Sequence, residues 1–215
     1  MKILRQSAQN RAVHWGVAIS IFGLIFTGIL QMPVAKRYFL TEVPGLKWSG
    51  DFIFSLNLHY FFAATLIFFA VFHAVFHSMR SQFDIFPRRG DGINSYRVIK
   101  AMISGGEEPA SGKYLPEQRL AYVAIALTIF VLIASGLVKT YKNILGLDIS
   151  NDLYYWAATV HNIGMVMIIL LIIAHLLAFV PKTNRNLLPS MFSGKIDEEY
   201  AKERHSLWDY KKEQK

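Results

Sequence analysis

HNIGMVMIILLIIAH, His161 to His175, sets two imidazoles at the ends of a run that carries no Lys, Arg, Asp or Glu. The wider stretch from Leu153 to Pro181 is equally free of these charges, and three others match it: Ala12 to Ala35, Phe52 to Met79 and Leu120 to Val138. Each offers roughly 19 or more residues, about what a helix rising ~1.5 Å per residue needs to cross ~30 Å of hydrocarbon. None shows the period-two alternation of a barrel strand, and irregular backbone cannot face lipid unsatisfied. The chain of 215 residues, 53% of them hydrophobic, is therefore expected to be all-α. The expected architecture is an integral membrane four-helix bundle in one domain over 1–215. Its helices fall near 12–32, 53–79, 119–140 and 153–180, with a loop over 80–118 and an amphipathic tail over 182–215.

Charge sets the expected orientation. Of the 23 basic residues, only Lys36, Arg37, Lys47, Lys139 and Lys142 lie in the two outer loops; the other 18 lie in the N-terminus, the middle loop and the tail. That bias predicts both termini and the middle loop in the cytoplasm of a bacterial or archaeal inner membrane. Tyr38, Trp48, Tyr141, Tyr154, Tyr155 and Trp156 then form an outer aromatic belt. The net charge of +8 belongs to cytoplasmic loops beside anionic lipid and not to a nucleic-acid surface. The first apolar run is too long for a signal-peptide core and reads as an uncleaved helix. With no cysteine, thiolate-held iron-sulfur clusters, thioether haem and disulfides are excluded.

Outside the spans, a short surface helix is expected around Ser95 to Ile103, ended by Gly105-Gly106, and a second over Asp197 to Glu203.

Six of the seven histidines, His14, His59, His73, His77, His161 and His175, sit in or beside apolar runs. Polar groups are costly in lipid, so six there point to function more than to bonding between helices. His59 with His73, and His161 with His175, are each fourteen residues apart. Fourteen residues turn a helix by ~1400°, about 40° short of four turns, and advance it ~21 Å, so each pair faces one way at two depths. Such pairs suit two stacked haem b groups, because neutral imidazole binds iron well and a second histidine completes six-coordination. By depth, His59 and His161 suit the outer haem. His14 and His73 both compete to partner His175 at the inner one, and helical arithmetic leaves that choice open. Gly16, Gly23, Gly28, Gly136 and Gly164 are places where a porphyrin, or simply another helix, could approach backbone. His73-Ala-Val-Phe-His77 has the i, i+4 spacing of a zinc pair but no Glu within it to act as a base.

With these residues placed, the chain resembles the gamma subunit of membrane-bound formate dehydrogenase, within the hydrogenase and formate dehydrogenase dihaem cytochrome b group. Arg11-Ala-Val-His14-Trp15 and Thr27-Gly28 match the first helix, and Gly112-Lys113-Tyr114 with Gln118-Arg119 matches the segment before the third. His161 and His175 match the fourth helix; Met191 to Ile196, Tyr200-Ala-Lys202, His205 and Trp208 match the tail. The resemblance implies His14 with His175 at the inner haem and His59 with His161 at the outer one, leaving His73 as the departure. It also implies a quinone site where the middle loop meets the third helix. There Leu115-Pro116-Glu117 departs from the family's Asn and Gly, and Glu117, Lys113 and His77 become the candidates for quinone contact or proton delivery.

The function so implied is electron transfer from an iron-sulfur (beta) subunit through two haems b to menaquinone or ubiquinone. The primary oxidation would belong to a molybdenum- or tungsten-pterin (alpha) subunit, since this chain has no cysteine and no pterin or dinucleotide motif. A hydrogenase or thiosulfate reductase could supply the partners instead. Two rivals are a haem-free membrane anchor and a stand-alone b561-like quinol oxidoreductase.

Overall fold

The computed structural model describes residues 1–146 and 148–213, so the last two positions of the tail lie outside the described residues. Four helices are long and apolar enough to span a membrane among the described residues. Contacts gather in two compact units, one of Gln9–Arg80 and one of Met1–Ala8 with Ser81–Lys215.

The Gln9–Arg80 unit contains most of α1 (Ala8–Gln31), the short α2 (Pro33–Arg37) and α3 (Phe52–Met79). Pro33 sits at the first position of α2, where its missing N–H leaves no intrahelical bond unmade. Asp51 caps α3, its carboxylate accepting from the Phe54 N–H at 3.0 Å. Several hydroxyls inside the spans are satisfied by their own helix. Ser20 donates to the Gly16 carbonyl at 2.8 Å and Thr27 to that of Gly23 at 2.7 Å, which hydrocarbon demands of any polar group. Outward side chains such as Phe61 and Phe68 are each 63% exposed, as lipid-facing groups should be.

The other unit holds the remaining pair of spans, α5 (Pro116–Leu145) and α6 (Asn151–Leu177), with α4 (Asp91–Ser104) packed against α5. The third span starts and ends outside the expected 119–140. Pro116 occupies its first turn, the Gln118 side chain accepts from the Leu115 N–H at 3.2 Å, and Gly146 closes it with φ +60°. Ser150 caps α6 through the Leu153 N–H at 3.2 Å. Gly90 and Gly105, both with positive φ, bracket α4, whose end agrees with the sequence expectation.

Where sequence suggests a tail lying on a surface, the structure has a packed cap. After α7 (Lys182–Arg185) and α8 (Pro189–Phe192), β2 (Lys195–Asp197) pairs antiparallel with β1 (Lys2–Leu4), Ile3 opposite Ile196. Next come α9 (Glu198–Arg204), which starts one residue past the Asp197 expected and has that carboxylate as its cap, and α10 (Tyr210–Glu213). Ile3, Ile196, Ala201 and Trp208 form a small core flanked by Tyr200 and Tyr210.

Buried charge ties this cap to the 81–115 segment. Arg204 forks onto Glu108 at 2.7 and 3.1 Å, reaches the Tyr200 hydroxyl at 3.0 Å and donates to Asn184. Arg119 forks onto Asp91 at 2.8 and 2.6 Å and also donates to the Tyr114 carbonyl. His205 is 1% exposed, with its Nδ1–H donating to the Gly112 carbonyl at 2.7 Å.

Candidate functional site: histidines held by hydroxyls

Within the Gln9–Arg80 unit, α1 and α3 bring Thr27 to His59: Thr27 Oγ1 lies 2.8 Å from Nδ1. Within the other unit, α5 and α6 bring Ser135 to His161, with Oγ 3.0 Å from Nδ1. The two arrangements are chemically alike. Both hydroxyls are buried, and each donates at 2.7 Å to the carbonyl four residues back, Gly23 or Val131. A hydroxyl has one proton and two lone pairs. With its proton on the carbonyl, it accepts from the imidazole, so Nδ1 carries the hydrogen and Nε2 keeps its lone pair. Every member of the chain Nδ1–H to Oγ–H to O=C is then satisfied, which matters most where water is absent.

Gly136 makes this possible at His161. A β-carbon there would sit 3.3 Å from Cε1 and 3.7 Å from Nδ1, so any side chain would push on the ring. Over Gly16 and Gly23, by contrast, the space is filled by the rings of Phe69 and Phe62; a β-carbon on Gly23 would come within 2.6 Å of Phe62. These two glycines serve close helix packing, the alternative that sequence alone left open.

The other histidines fall as follows. His14 sets its ring edge-on to Trp15 at 5.2 Å, and His175 does likewise to Phe179 at 5.9 Å. His73 and His77 lie ring to ring at 4.4 Å on α3. No three of His, Asp and Glu converge on a bare metal site among the described residues. Lys113 lies over the rings of Tyr114 and Trp208, at 5.9 and 5.6 Å, and lines a cavity of about 270 Å³ with Arg119 and Asp84. Glu117 stands in the first turn of α5, and its Oε2 is buried without a described hydrogen-bond partner. His77 belongs to the other compact unit. Thr27 and Ser135 were missed as site residues, although each is a hydroxyl next to a glycine in a charge-free run.

An imidazole that donates its Nδ1–H to such a hydroxyl is in the tautomer that an iron-bound histidine needs, so these residues fit haem. The model of the prokaryotic cytochrome b561 family matches residues 5–194. The chain belongs to that family. It is a multi-pass membrane cytochrome that binds haem b, and it serves as a respiratory cytochrome b subunit. The haem-free anchor is thereby set aside. The chain is 26% identical to the cytochrome b556(Fdn) subunit of the nitrate-inducible formate dehydrogenase of Escherichia coli strain K12. That similarity spans 209 residues, 96% of this chain and 89% of the relative. The corresponding subunits of Escherichia coli O157:H7 and Shigella flexneri match to the same extent.

Proposed function

We propose that this cytochrome b is the membrane subunit of a respiratory dehydrogenase, formate dehydrogenase by its relatives, and that it delivers electrons to menaquinone or ubiquinone. The observation that carries the reading is the pair of histidines, His59 and His161, each with its Nδ1 within hydrogen-bond distance of a buried hydroxyl on a neighbouring helix. Haem b, when bound, supplies reversible one-electron chemistry. In this reading His59 and His161 hold the outer haem, and His14 and His175 hold the inner one. His73 is the alternative inner ligand. The fourteen-residue spacing supports two depths ~21 Å apart along each helix.

The remaining assignments follow from charge and family. The distribution of Lys and Arg supports an inner-membrane location with both termini in the cytoplasm. Lys113, Glu117 and His77 are the groups proposed to meet quinone or to supply its protons. Electrons would come from an iron-sulfur subunit, and the primary oxidation would belong to a molybdenum- or tungsten-pterin subunit. The chain 1–215 would act as one functional domain.

The test is a reduced-minus-oxidised spectrum of the purified chain, with haem quantified against protein as the pyridine haemochrome. Two b haems per chain are expected. His14→Ala is expected to lose about half the haem and one redox step, while His73→Ala keeps both. A single haem in the parent would overturn the two-haem reading, and the reverse pattern in the variants would overturn the inner-ligand assignment.

A further inference from the structure

We propose that Thr27 and Ser135 are matched positioning residues, each fixing the tautomer, rotation and basicity of one histidine, His59 or His161, through a hydroxyl relay. The inference rests on the reading of those histidines as iron ligands.

Three features separate the relays from ordinary packing. Each hydroxyl already satisfies its own proton on its helix's carbonyl at 2.7 Å, so its bond to the imidazole serves the imidazole. Both relays end on Nδ1, never Nε2, at 2.8 and 3.0 Å. And they arise in separate compact units from the same short pattern, a hydroxyl residue followed by glycine, in Ile25-Phe-Thr27-Gly28 and Ile133-Ala-Ser135-Gly136. Ser20 provides the internal comparison. It is fully buried and makes the same backbone bond, at 2.8 Å to Gly16, but it has no described bond to a histidine.

The consequence is electronic as well as geometric. Donation from Nδ1–H to an acceptor makes the opposite nitrogen a stronger base and holds the ring plane. A more basic ligand favours ferric over ferrous iron and lowers the midpoint potential. Thr27→Val or Ser135→Ala removes that hydroxyl acceptor from the Nδ1–H, so the potential should rise.

The experiment is a spectroscopic redox titration, with haem quantification, of the parent, Thr27→Val, Ser135→Ala, Thr27→Ser, Ser135→Thr and Ser20→Ala. Thr27→Val and Ser135→Ala are each expected to shift one redox step to more positive potential, the same step in both on the proposed assignment of His59 and His161 to one haem. The other step should stay put. The hydroxyl-bearing variants should restore the parent value, and Ser20→Ala should match it throughout. If Thr27→Val or Ser135→Ala loses that haem altogether, its recovery in Thr27→Ser or Ser135→Thr supports the proposal, and failure to recover overturns it. A parent without haem overturns the ligand reading and this inference with it. A parent with two haems whose Thr27→Val and Ser135→Ala variants titrate unchanged overturns the inference alone.

Discussion

Acidification should loosen the cap through one side chain. His205 is 1% exposed; its Nδ1–H is committed to the Gly112 carbonyl, and its Nε2 has no described acceptor for a second proton. Burial foremost, then the nearby Arg5 cation, push its pKa down from 6.5 to about 4. The folded chain therefore binds this proton less readily than the unfolded one. The stability that neutral His205 contributes is complete above pH 6.5 and is lost as pH falls toward about 4. At ~1.4 kcal/mol per pKa unit, the full fall from 6.5 to about 4 corresponds to about 3.5 kcal/mol, or roughly a three-hundredfold rise in cap opening. The assay is hydrogen exchange with mass spectrometry on the chain in nanodiscs, comparing peptides over 195–212 with those over 151–177 and correcting for intrinsic exchange rates. Protection of the cap should fall between pH 6.5 and 4.5 while α6 stays level. His205→Asn, whose amide can still donate to Gly112, should flatten the profile. A parent and His205→Asn with the same pH dependence would refute the reasoning.

Two further perturbations test the packing. Asp91→Ala would leave the Arg119 guanidinium buried with the Tyr114 carbonyl as its remaining hydrogen-bond partner among the described residues. It should cost about 3–5 kcal/mol, and the double variant with Arg119→Met should recover most of that; a thermal midpoint for Asp91→Ala equal to the parent's would contradict this. The same guanidinium holds the Asp91 carboxyl below its ordinary value near 3.8, so this contribution should survive down to about pH 4 and be lost below it. Gly23→Ala would press a β-carbon into the Phe62 ring and should cost about 1–3 kcal/mol, relieved by Phe62→Leu. Thermal denaturation in detergent reads both single and double variants, and equal losses in the two would show that the ring is not the obstacle.

The membrane class was legible because hydrocarbon imposes a local rule: every backbone group must bond within its own segment, so long charge-free runs can only be helices. The six membrane histidines, and the fourteen-residue spacing within two pairs of them, are likewise properties of single helices. Pro116, Gly105 and Asp197 marked boundaries or caps for the same reason, each acting on its own few residues.

Tertiary structure decided what depends on neighbours distant in sequence. No local pattern announces that Lys2–Leu4 will pair with Lys195–Asp197, because three-residue strands carry too little periodicity to read. Nor does it announce that the tail buries Arg204 and His205 against Glu108 and Gly112. Gly16 and Gly23 could have faced a porphyrin or a helix until Phe69 and Phe62 were seen to fill the space. The hydroxyl that meets Nδ1 of His59 or of His161 was beyond sequence altogether. It lies on the adjacent helix, a relation that exists only once two helices are side by side.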